Sequence, residues 1–120
     1  MTLKECYTAM GSDYEDVFGR LRSERLVQKF VLKFLDDECF STLCSSLETG
    51  AQEEAFRAAH TIKGMCQNLS FTKLAASSSN ITEALRAGDM AAAKDMLDSV
   101  RGDYELTAEA IRAFKAGQNL

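Results

Sequence analysis

The chain has 120 residues, which suits one domain around one modest core. Apolar residues make up 46% and charged residues 27%, the formal net charge is −4, and no Lys/Arg cluster stands out, which argues against a nucleic-acid partner. No apolar run approaches the roughly 18 residues of a membrane span, and the N-terminal MTLKECYTAM lacks a signal-peptide core, so a cytoplasmic protein without membrane association is expected.

Proline is absent, and Ala, Leu, Glu, Lys, Arg and Met are plentiful, so the composition predicts helix throughout. A short N-terminal helical piece covers about 2–20. A long amphipathic segment follows over about 23–47, with Leu26, Phe30, Val31, Phe34, Leu35, Leu43, Cys44 and Leu47 on its apolar stripe and room for a bend at Asp36-Asp37. Gly50 ends it, and a third helix begins at once and runs to about 69. The fourth spans about 71–87 and contains Ser77-Ser78-Ser79, small side chains suited to close helix approach or to solvent. Gly88 ends that helix, and Asp89 can cap the last one, about 89–116, which buries Met90, Ala93, Leu97, Val100, Tyr104 and Ile111. Gly102, inside it, marks a kink, a break or a close helix crossing. Joints this short force antiparallel neighbours. The expected fold is all-α: an antiparallel four-helix bundle, core about 23–116, with an additional short N-terminal helix, in a single domain over 1–120.

The four cysteines, Cys6, Cys39, Cys44 and Cys66, form no CxxC pair and read as reduced thiols. With one histidine in the chain, His60, no zinc-ligand grouping arises and no metal site is expected. A haem or metal bundle enzyme would need several ligands per site.

At about 100° per residue, Ala55, Ala58, Ala59, Ile62, Met65, Cys66 and Leu69 share an apolar arc of the third helix. His60 falls on the opposite face, mid-helix, together with Glu53, Arg57, Lys63, Gly64 and Gln67. Helical side chains lean toward the N-terminus, so residue 64 would cover the imidazole were it not glycine. Lys63 can place its ammonium beside the ring. An exposed imidazole, open on one side and flanked by a cation, suits an anionic group bonded to a ring nitrogen, and a phosphoryl group fits that description. Gln67 can donate to phosphoryl oxygens or to an approaching backbone. Phe56, at the edge of the apolar arc, packs in the bundle or meets a docking partner, and Arg57 suits an acidic partner surface.

The string AAHTIKGMCQNLSFTKLA resembles the signature of histidine-containing phosphotransfer (HPt) domains: a histidine, lysine at +3, glycine at +4, then a stretch into the next helix. The flanking joints LETGAQEEAFRAAHTIKG and ITEALRAGDMAAAKDMLDSV are similar to the family's as well, and the likeness covers about 11–116. The resemblance implies a four-helix bundle that carries a phosphoryl group between receiver-domain aspartates in a multistep two-component relay. His60 would be the phosphoacceptor and Lys63 would steady the phosphoryl charge, while Gly64 keeps the site open and Gln67 lies near the phosphohistidine. The partners implied are response-regulator receiver domains or a hybrid sensor kinase, met by a monomer. Such a carrier has no kinase activity of its own and no cofactor, with Mg²⁺ expected from the receiver. The rival reading is a bundle that docks receivers or other proteins without carrying phosphate. One departure stands out: the family commonly has glycine at +10, and here that residue is Ser70. Ser70 can cap the next helix, but a left-handed backbone there would cost it about a kcal/mol. Met1 and a finished last helix point to a free-standing protein.

Overall fold

A computed structural model describes residues 1–118, so the last two residues of the expected 1–120 domain lie outside the described residues. It contains seven helices and no strand among the described residues: α1 (Leu3–Ala9), α2 (Tyr14–Leu21), α3 (Glu24–Phe34), α4 (Cys39–Thr49), α5 (Gln52–Leu69), α6 (Thr72–Arg86) and α7 (Met90–Gly117). The all-α bundle is as expected. Helix α5 packs on α4 and α6, α6 on α7, and α7 on α4, closing a ring of four, while α1 lies against α7 and α3 touches α2, α5 and α7.

The N-terminal piece is two helices rather than one. Thr2 starts α1 with a reciprocal cap: its hydroxyl accepts from the Glu5 amide at 3.1 Å, and its own amide donates to Glu5 at 2.8 Å. Gly11, at φ 75°, turns the chain out of α1, and Asp13 caps α2.

The expected 23–47 helix also divides. Leu35, Asp36 and Asp37 donate to carbonyls three residues back, which tightens the last turn of α3. The Asp37 carboxylate then accepts from the Cys39 amide at 2.8 Å and starts α4. The expected bend is thus a full break. Within α3 the inward stripe is Val27, Val31 and Phe34, so Val31 and Phe34 are buried as expected while Leu26 is 40% exposed. Leu35 and Cys44 are only half-buried.

Glycines end the helices as the local chemistry requires. Gly50 closes α4 at φ 77°, Gly88 leaves α6 at φ 75°, and Asp89 accepts from the Ala92 amide at 3.0 Å. Helix α7 runs through Gly102 without a break. A Cβ there would meet nothing within 4 Å, so this glycine marks no close crossing.

One buried cluster draws side chains from all seven helices. Aromatic rings run through it in sequence. Tyr7 lies 5.7 Å from Phe71, Phe71 5.2 Å from Phe34, Phe34 5.9 Å from Tyr104, and Tyr104 stacks on Phe40 at 4.3 Å. Each such pair contributes about 0.5–1.5 kcal/mol beyond its burial. The Tyr7 hydroxyl donates to the Leu69 carbonyl at 2.7 Å, anchoring α1 to the end of α5. Ser77, Ser78 and Thr82 are buried on α6 and satisfy their hydroxyls on the carbonyls of their own helix. All four cysteines are free thiols; Cys6 and Cys66 are buried, and Cys39 and Cys44 are half-buried.

Candidate functional site

Helix α5 runs for 18 residues and packs against both α4 and α6. Ala55, Ala58, Ala59, Ile62, Cys66 and Leu69 are its buried side, as the periodicity requires, while Met65, expected on the same arc, is only half-buried. His60 is exposed on the other side, two turns from the start of the helix.

The surroundings of the imidazole differ on its two flanks. Toward α6 lie Phe56 and Lys63, both half-buried. The Phe56 and His60 rings are nearly parallel, with planes 14° apart and centroids separated by 5.8 Å. Lys63 belongs to none of the ion pairs among the described residues, so no carboxylate neutralises its ammonium. Toward α4 and the C-terminal end of α5, the surface is open. A Cβ on Gly64 would meet nothing within 4 Å. Gln67 is exposed one turn further on.

Arg57 sits apart from this group. It is exposed and lines a shallow hollow of about 300 Å³ with Cys39, Thr42, Glu54, Ala58 and Thr61, and its carbonyl accepts from the Thr61 hydroxyl at 2.9 Å. The helix therefore brings His60, Phe56, Lys63, Gly64 and Gln67 together and puts Arg57 on the α4 flank.

One residue near the site was missed by sequence reasoning. Arg86, at the end of α6, holds its guanidinium over the Phe56 ring at 5.0 Å from the centroid. It also pairs with Glu83 at 3.3 Å. The amide of the Gln52 side chain donates to the Leu85 carbonyl and ties the start of α5 to the same end of α6. The signal was a register count, since Phe56 and Arg86 are nearly equally far from the Ser70-Phe71 joint of an antiparallel pair.

The joint itself departs from expectation. Ser70 ends α5 at φ 59°, in the left-handed region, and does not cap α6. The first residue of α6 finds its partner in the N-terminal region instead: the Thr72 amide donates to the Ser12 hydroxyl at 3.1 Å. Among the described residues, no three His, Cys, Asp or Glu side chains gather as a metal-binding group. No helix is long and apolar enough to cross a membrane.

The comparisons bear directly on this arrangement. The family model described as Hpt domain matches residues 30–115, which includes the C-terminal part of α3, all of α4 to α6, most of α7, and every residue around His60. No curated protein and no solved structure matches the chain.

Proposed function

The chain belongs to the Hpt domain family, and from that premise we propose that it takes a phosphoryl group from the aspartate of one receiver domain onto His60 and passes it to another. Domains of this family are phosphocarrier modules of phosphorelay signalling. The observation that carries the finer reading is the exposure of the chain's one imidazole beside an open Gly64 and a Lys63 that has no ion-pair partner among the described residues.

In the forward step, the lone pair of His60 Nε2 attacks phosphorus in line with the aspartyl oxygen. The N–P bond forms as the P–O bond breaks, and the receiver carboxylate leaves with the electron pair. Nδ1 keeps its proton. The reverse sequence on a second receiver discharges the histidine. Lys63 holds positive charge where the phosphoryl oxygens gather, and Gly64 leaves the partner a path to the ring. Gln67 offers an amide donor to the phosphoryl oxygens or to the docked backbone. Phe56 and Arg57 border the docking face from opposite flanks.

The divalent cation that phosphoryl transfer uses is assigned to the receiver, because no metal-binding group of His, Cys, Asp or Glu side chains forms among the described residues. The chain acts without kinase activity of its own, as a cytoplasmic monomer. The test is a relay with two receivers. The chain should discharge a phosphorylated first receiver and charge a second one, and a second receiver that stays unlabelled would refute the relay.

A further inference from the structure

An imidazole on an exposed helix face has a staggered χ1 and a broad χ2, and it sweeps its nitrogens through many orientations. In-line attack on phosphorus tolerates few of them. The restraint on His60 comes from Phe56, whose ring lies 14° from parallel with the imidazole at 5.8 Å. The two residues are one turn apart on α5, so their side chains meet by helical geometry.

Phe56 is restrained in turn. Its ring is half-buried between α5 and α6, and the Arg86 guanidinium lies over it at 5.0 Å. Arg86 is anchored by Glu83 Oε2, which accepts from its Nε at 3.3 Å. A chain of contacts thus runs from Glu83 through Arg86 and Phe56 to the imidazole. Beside Phe56 and Arg86, Gln52 and Glu53 border a shallow hollow of about 270 Å³.

We propose that Phe56 is a positioning residue for phosphoryl transfer: its ring, held by Arg86, sets the plane in which His60 presents its reacting nitrogen. The proposal rests on His60 being the phosphoacceptor. It gives Phe56 a task other than partner contact. Ordering the imidazole before the partner arrives removes that entropy cost from the encounter, so the effect belongs to the transfer step and not to docking.

The test uses the full chain and the variants Phe56→Leu, Phe56→Tyr and Arg86→Gln. Two quantities are read. The first is the NMR position of the carbon-bound His60 ring protons in the unphosphorylated protein, which the Phe56 ring current shifts. The second is single-turnover transfer from a phosphorylated receiver, resolved into a saturating rate and a donor Kd. In Phe56→Leu the ring protons should move toward the position of free histidine. The saturating rate should fall about two- to tenfold, the worth of one aromatic pair expressed as a rate, whatever the change in donor Kd. Phe56→Tyr should restore both. Arg86→Gln, at an exposed position, should shift the same protons and keeps the test independent of how well Phe56→Leu folds. A wild-type saturating rate in Phe56→Leu, or a loss confined to Kd, overturns the proposal alone. A wild-type chain that accepts no phosphoryl group overturns the relay reading, and this proposal with it.

Discussion

The Ser70 hydroxyl donates to the Asp16 carboxylate at 2.6 Å and accepts from Arg20 at 2.9 Å. Asp16 and Arg20 lie on α2, ahead of the residues 30–115 that match the family. Support for the unusual residue at the α5–α6 joint therefore comes from outside the matched segment. The left-handed backbone costs Ser70 about 1–2 kcal/mol, which its hydrogen bonds offset. Ser70→Ala keeps the strain and loses the bonds, whereas Ser70→Gly loses both together. Ser70→Ala should destabilise by about 1–2 kcal/mol and Ser70→Gly by less. Urea midpoints check the order, and an alanine variant more stable than the glycine variant would contradict it.

The same contact has an acid-side signature. The Ser70 hydroxyl holds the Asp16 carboxyl below the usual carboxylate range; slight desolvation opposes it, and Arg20 adds to the lowering. A carboxyl lowered by folding stabilises fully above its unfolded pKa, and the contribution is lost as pH falls through the folded value. The stability difference between wild type and Asp16→Asn should therefore be largest near neutrality and shrink below about pH 4. Glu5, lowered chiefly by the Thr2 amide, should leave some acid sensitivity in the variant. Denaturant midpoints measured across that range decide the matter; a pH-independent difference would rule Asp16 out.

Gly64 should trade stability for access. Its backbone is ordinary helix, and an added Cβ meets nothing within 4 Å. Gly64→Ala should raise stability by about 0.5–1 kcal/mol. The same methyl narrows the approach to His60, so transfer from a phosphorylated receiver should slow. Thermal melts and transfer kinetics on one preparation test both halves. A variant that gains stability and keeps its full rate would remove the proposed reason for this glycine.

Lys63 carries positive charge beside the site with no ion-pair partner among the described residues. Lys63→Ala should lower the saturating transfer rate by about tenfold and leave the fold intact, as expected for one partly solvated charge. Lys63→Arg should retain most of the rate. Equal rates in Lys63→Ala and wild type would show that the ammonium has no part in the step.

Much of this site could be read from local sequence because its chemistry is local. The exposure of His60, the open side at Gly64 and the nearness of Lys63 follow from helical spacing within α5. Gly50, Gly88 and Asp89 marked helix ends because cap preferences depend on a few adjacent residues. Leu26 and Val27 are adjacent apolar residues in α3, and only the packing of that helix, which buries Val27 with Val31 and Phe34, decides that Leu26 is the exposed one. Arg22 ends α2 in a left-handed conformation that no glycine signalled. The burial of Ser78 and Thr82 was hidden because their hydroxyls bond within their own helix. Arg86 meets Phe56 only through the pairing of α5 with α6, which is a tertiary relationship.

The central claim is that His60 carries the phosphoryl group. Wild type and His60→Gln are each mixed with an aspartyl-phosphorylated receiver domain, and acid-labile, alkali-stable phosphate is then counted on the chain. The account predicts labelled wild type and unlabelled His60→Gln, with equal helical content in the two. Equal labelling of His60→Gln would contradict it.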